Sequence, residues 1–256
     1  MKTQISSGGH STPRARGFTL VEVLVVVAII AILVGISFSG FIKYRKAADK
    51  AAVLGNIRAL QVANAIYASE NNGAYIKAFS FDKDEKLESA WHMEPEFLRI
   101  FTGNPDVKGS AHITGVPHSS LDPAVVRAKK YLWDQVEASY GYNQGHMPPG
   151  WPMKSTSSTY KASSLTDPAR TFSFISCTDW NAKFTGRYLW EGAKAVEGKT
   201  PDGKIAFRHD GKAAVVYFDG HVELISKADM KRIDKSNKNG GSTGNIFWDG
   251  DLEDGR

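Results

Sequence analysis

Residues 14–36 read Arg14-Ala15-Arg16-Gly17-Phe18-Thr19-Leu20-Val21-Glu22-Val23-Leu24-Val25-Val26-Val27-Ala28-Ile29-Ile30-Ala31-Ile32-Leu33-Val34-Gly35-Ile36. A short basic leader stops at Gly17, and an apolar run starts abruptly at Phe18. From Phe18 to Ile42 the only ionisable side chain is Glu22. Those residues span about 37 Å as a helix, enough to cross a bilayer core. A carboxylate inside such a helix costs roughly 2.5–3.5 kcal/mol on insertion scales, so it points to a use. The run exceeds the 7–15 apolar residues of an ordinary secretory signal. Two simpler readings stay open at this point. Ser37-Phe38-Ser39 is a weak candidate cleavage site for a secreted soluble protein, and the helix also serves as a plain single-pass anchor. Charge alone leaves the orientation open, because Lys43, Arg45, Lys46 and Lys50 outnumber the leader's Lys2, Arg14 and Arg16.

Beyond the helix, the bulk composition excludes more than it assigns. The chain has 256 residues and a formal charge of +5, and residues 1–17 carry three of those charges. The rest of the chain is nearly balanced and has no basic stripe with interleaved aromatics, so nucleic acid is not an expected partner. Apolar content of 42% and charge of 23% suit a folded domain of roughly two hundred residues beyond the helix. Cys177 is the single cysteine, which excludes an internal disulfide and reads as a buried, idle thiol. No His-Glu-x-x-His, phosphate-binding or dinucleotide motif occurs, so no catalytic residue and no small-molecule substrate are assigned.

The segment Arg16-Gly17-Phe18-Thr19-Leu20-Val21-Glu22 resembles the prepilin signal of type IV pilins and type II secretion pseudopilins. The resemblance implies a peptidase/methyltransferase of the membrane as partner. It cuts between Gly17 and Phe18 and methylates the new amine of Phe18. It also implies assembly with other pilin or pseudopilin subunits, and a location in the cytoplasmic (inner) membrane with the globular domain exported. Glu22 lies one helical turn from that amine, at i+4. Pairing it with the amine of a neighbouring subunit would neutralise two costly charges in lipid and set the register of packed helices. Members of this family often carry a kinking proline in the helix; none occurs here between Phe18 and Gly73.

The expected fold class is α+β: one long helix whose second half packs on an antiparallel sheet, as the resemblance implies. The expected division is into a leader (1–17), a transmembrane and assembly helix (18–42), its continuation (43–72) and an exported globular domain (73–256). Val53, Ile57, Leu60, Asn64 and Tyr67 recur at 4,3,4,3 spacing and predict the buried face of the continuation. Asn71-Asn72-Gly73 predicts its end. Thr171–Cys177 alternates as a strand, with Cys177 sharing a face with Thr171, Ser173 and Ile175. Thr156–Ser164 reads as a surface loop. Two Asp-Gly turns predict a three-stranded meander over 204–208, 213–218 and 221–225.

His209, nine residues and then Asp219-Gly220 resemble the H-X9-DG signature of a pilin-like bacterial subfamily, as does Ser139-Tyr140-Gly141-Tyr142-Asn143. His209, Asp179, Asp219 and His221 are proper metal-ligand types, but the reading preferred here is structural, with imidazole and carboxylate pinning turns. The acidic tail Trp248–Gly255 superficially matches a calcium loop without its closing bidentate glutamate, and reads as a solvated end. No cofactor is therefore assigned, and calcium is the ion left open. The sequence points to a structural filament subunit, pseudopilin or minor pilin, without catalysis. The alternative is a membrane-anchored, exported ligand-binding protein that never polymerises.

Overall fold

The structure is a computed structural model; it describes residues 18–82, 84, 87–107, 116–128, 139–143, 157–158, 160–182, 205–235 and 247. The chain divides into two units, Met1–Arg45 and Lys46–Arg256. Helix α1 runs over Leu20–Glu70 without interruption at Gly35 or Gly40. In the first unit its large aliphatic side chains face outward, with exposures from 45% at Ile42 to 80% at Leu20. A helix apolar on every side has no soluble partner of its own and needs lipid or other helices. By length and composition it is sufficient to cross a membrane.

The second unit begins with the other half of α1. Val53, Ile57, Leu60 and Asn64 are fully buried and Tyr67 is partly so, along the predicted face. The helix stops as its asparagines and glycine require. Asn72 (φ 54°) and Gly73 (φ 78°) turn left-handed, and the Gly73 N–H donates to the Ala68 carbonyl at 2.8 Å.

Five strands lie in the order β6-β3-β5-β7-β8: β3 is Tyr140–Asn143, β5 Phe172–Ser176, β6 Asn181–Ala182, β7 Lys212–Tyr217 and β8 Val222–Ser226. All pairs are antiparallel except β3 with β6, so the sheet is mixed at that edge. A smaller antiparallel sheet joins β2 (Leu87–Ala90), β1 (Phe79–Phe81) and β4 (Ser157–Ser158). Short helices α2 (Pro95–Thr102), α3 (Pro123–Ala128) and α4 (Lys227–Lys235) complete the described α-helices. The fold is α+β and pilin-like, as expected.

Alternation along β7 sorts its side chains to two cores. Ala214, Val216 and, just beyond, Phe218 join the cluster containing Val53, Ile57, Leu60, Trp91, Phe97, Tyr142 and Phe174. Ala213, Val215 and Tyr217 join Phe172, Ile175, Cys177, Ile225 and Met230 on the other side. Phe174 is the hub of the first cluster, with ring centroids 4.7 Å from Tyr142 and 5.2 Å from Trp91. Edge and tilted contacts of this kind hold aromatic cores.

Three expectations are corrected. The meander has two strands, not three: β7 pairs with β8 on one side and with β5 on the other. Residue 205 instead bridges Cys177, extending the β5 edge, because β5 and β8 already occupy both edges of β7. On β5 the register slips between Phe172 and Phe174, which places Phe172 in one cluster with Ile175 and Cys177 against strict alternation. The stretch 156–164 is not all loop, since Ser157–Ser158 pairs with Phe79–Ser80 and Ala162–Ser164 forms a 3-10 turn.

Candidate functional site

The helix start is built by its own side chains. Thr19 precedes the first helical residue. Its N–H and its hydroxyl both donate to Glu22 Oε2 at 2.8 Å, and its hydroxyl oxygen accepts the Glu22 N–H at 3.3 Å. This is a capping box: the helix N-terminus has N–H groups without intrahelical partners, and the threonine and glutamate satisfy them reciprocally. Phe18 stands outside it, 81% exposed. Sequence reasoning paired Glu22 with a terminal amine at Phe18 and missed this arrangement. The signal was present in Thr19-x-x-Glu22, four residues that spell the motif. Gly17 lies outside the described residues.

The H-X9-DG residues do two separate things at opposite ends of β7. His209 is buried and its Nε2 lies 3.2 Å from Asp122, a carboxylate 87 positions away. Arg208 joins them: one guanidinium nitrogen reaches Asp122 at 3.4 Å and the Ser139 carbonyl at 3.2 Å, the other the Cys177 carbonyl at 2.7 Å. Asp122 also accepts the Ala124 N–H at 2.8 Å, and its own N–H donates to Ser139 Oγ. Burial alone pushes the Asp122 carboxyl up; the His209 hydrogen bond and the Arg208 charge reverse this and leave it below its ordinary value. The expectation that His209 pins a local turn is thus corrected: its side chain is tied to a distant carboxylate.

At the other end, Asp219 Oδ1 accepts from the His221 N–H at 3.0 Å and lies 2.6 Å from His221 Nδ1. The His221 ring stacks on Tyr217 at 4.1 Å, and the Tyr217 hydroxyl donates to Glu223. Gly220 (φ 90°) makes the turn a glycine position. His209 and Asp219 therefore do not share a site. Among the described residues no three histidine, cysteine, aspartate or glutamate side chains gather around a point that would hold an ion. The tail from Trp248 lies outside the described residues. Cys177 is buried, its thiol donates to the Asn181 carbonyl at 3.4 Å, and burial pushes its pKa up to about 12. That thiol is not a nucleophile at neutral pH.

Polar side chains tie the second half of α1 into the domain. Asn56 Nδ2 donates to the carbonyls of Ser119 and Leu121. Gln61 donates to the Phe218 carbonyl at 2.8 Å, and Asn64 Oδ1 accepts the Ile76 N–H at 2.9 Å. On the surface, Lys46 and Lys50 reach Asp210 at 2.9 and 2.7 Å, and Arg127 grips Asp49 with two nitrogens. These contacts leave the first unit as the place where chemistry and exposure coincide.

Comparison with known proteins agrees on that segment. No solved structure matches the chain. The chain is similar to the type IV major pilin protein PilA of Myxococcus xanthus (strain DK1622), 42% identical over 60 residues, which is 23% of this chain and 27% of that protein. The match therefore spans about a quarter of the relative's length. The family described as the prokaryotic N-terminal methylation motif matches residues 12–38, which take in the leader's end, the Thr19–Glu22 cap and the apolar run. The segment that opens α1 is a prepilin-type N-terminal motif of the kind found in pilins.

Proposed function

We propose that this chain is a structural subunit of a pilus-like or type II secretion filament, made as a precursor. A membrane peptidase/methyltransferase removes residues 1–17 by cutting between Gly17 and Phe18 and methylates the Phe18 amine. Residues 18–42 hold the subunit in the cytoplasmic membrane and later pack against the same helices of neighbouring subunits. The continuation 43–72 and the domain 73–256 are exported and have no catalytic task. The observation that carries this reading is the methylation motif at 12–38 on a helix whose apolar residues are exposed all round.

The Thr19–Glu22 cap fits a hand-over. In the uncut chain the carboxylate is satisfied within its own first turn. Cutting creates a cationic amine at Phe18, and a neighbour's amine becomes the better partner for Glu22 in a low-dielectric setting. The deciding measurement is the mass of the N-terminal peptide of the protein from native membranes. It should begin at Phe18 and carry one extra methyl group; a peptide that begins at Met1 or near residue 40 overturns the reading. Glu22→Gln then separates a filament subunit, which stops assembling, from an anchored binding protein, which is indifferent.

A further inference from the structure

The cations beyond the apolar run present a problem of charge. After Glu22 no acidic residue occurs until Asp49, while Lys43, Arg45 and Lys46 fall between them. Lys46 and Lys50 are answered by Asp210, at 2.9 and 2.7 Å. Lys43 has no carboxylate within a turn of helix on either side. The one acid a turn beyond Arg45 is Asp49, and both terminal nitrogens of Arg127 take it at 2.7 and 2.6 Å. Lys43 and Arg45 are exposed, and between them stands Tyr44, 83% exposed with an apolar ring and a polar tip. Phe41 and Ile42, just before, are exposed as well. An aromatic and two long cations at the end of an apolar span are the composition of a helix meeting lipid headgroups.

We propose that Lys43, Tyr44 and Arg45 form a collar that binds anionic phospholipid headgroups at the exported face of the membrane. The charge complementarity is direct: two cations that no carboxylate among the described residues answers, on a helix that emerges from hydrocarbon, meet phosphate at the surface they cross. Spacing supports it. From Glu22 to Lys43 the helix rises about 31 Å, close to the thickness of a bilayer's hydrocarbon core. With the collar on the exported headgroups, the helix back to Glu22 fills the hydrocarbon core, so the carboxylate stays in the low-dielectric region where a neighbour's amine is its best partner. Excess cations on the exported side, which oppose the usual orientation preference, are then balanced in two ways: Asp210 for one pair and lipid phosphate for the other. The inference rests on the orientation proposed above.

The test uses the full chain in vesicles that mix phosphatidylglycerol with phosphatidylcholine. Spin-labelled lipids of each class report which headgroup borders the protein. The wild-type chain should select phosphatidylglycerol, and the double variant K43Q/R45Q should lose about five-fold in that selection for each cation removed at low salt. The selection should weaken as salt rises. K46Q/K50Q removes the same charge from residues that Asp210 already holds, and should leave the selection near wild type. An unchanged preference in K43Q/R45Q overturns the collar, as does an equal loss in K46Q/K50Q. Inorganic phosphate in roughly hundred-fold excess over lipid should not compete at constant ionic strength; if it abolishes the selection, a free-anion site replaces the lipid site and the proposal falls. Failure here leaves the filament reading standing, because that reading fails on the mass of the N-terminal peptide.

Discussion

Replacing Asp122 by alanine tests whether the buried charges around His209 hold the domain together. The carboxylate is fully buried and answers three donors: Arg208 at 3.4 Å, His209 at 3.2 Å and the Ala124 N–H at 2.8 Å. The Arg208 side chain is 2% exposed, so without Asp122 its buried charge loses the carboxylate that lies 3.4 Å away. Removing one partner of a buried ion pair costs about 3–5 kcal/mol, chiefly the penalty on the charge left behind. A domain of this size has on the order of 5–15 kcal/mol in total, so the loss is a large fraction of it. Urea unfolding of the purified full chain in detergent, followed by tryptophan fluorescence to which buried Trp91 contributes, should show the midpoint falling with little change in slope. Asp122→Asn keeps the shape and an acceptor and should cost less than the alanine variant. A loss below about 1 kcal/mol in Asp122→Ala would refute the view that this carboxylate compensates Arg208.

Gly141→Ala should destabilise by about 1–3 kcal/mol, read in the same urea titration, because the added methyl would meet Cys177 Cβ at 2.8 Å and the backbone of Asn181 and Asp179 at 2.9 Å. His92 gives a pH dependence: burial lowers its pKa to about 4, so it is neutral when folded, whereas unfolding returns it to its ordinary 6.5. The unfolded state therefore binds the extra proton between these values, and the contribution of the neutral ring, about 3 kcal/mol, is complete above pH 6.5 and lost as pH falls toward 4. Thermal melts across that window should flatten in His92→Leu.

What the sequence disclosed depends on where the forces are local. The span of α1, its buried face and its stop were legible, since hydrophobic period and the left-handed preference of Asn72 and Gly73 act within a few residues. The N-terminal methylation motif at residues 12–38 was legible for the same reason. The third strand of the meander was misjudged because Ile205 had two edges within reach, and only the sheet order decides between β7 and the end of β5. The Asp122–Arg208–His209 cluster was missed because nothing near Asp122 hints at a partner 86 positions away; long-range pairing of charges leaves no periodic trace. The Thr19–Glu22 cap was overlooked for an opposite reason, since a stronger explanation for Glu22 hid a simpler local one.

The lower half of α1 is as much a layer of the domain as any strand. A truncated protein that starts at residue 73 would lose Val53, Ile57 and Leu60 from beneath Phe174 and Phe218, and would strand the Ile76 N–H that Asn64 receives. Such a fragment should aggregate, while one that starts by Lys46 keeps both the apolar wedge and the lysines that Asp210 grips. The practical cut for a soluble form therefore lies inside the helix, about seven turns before its end.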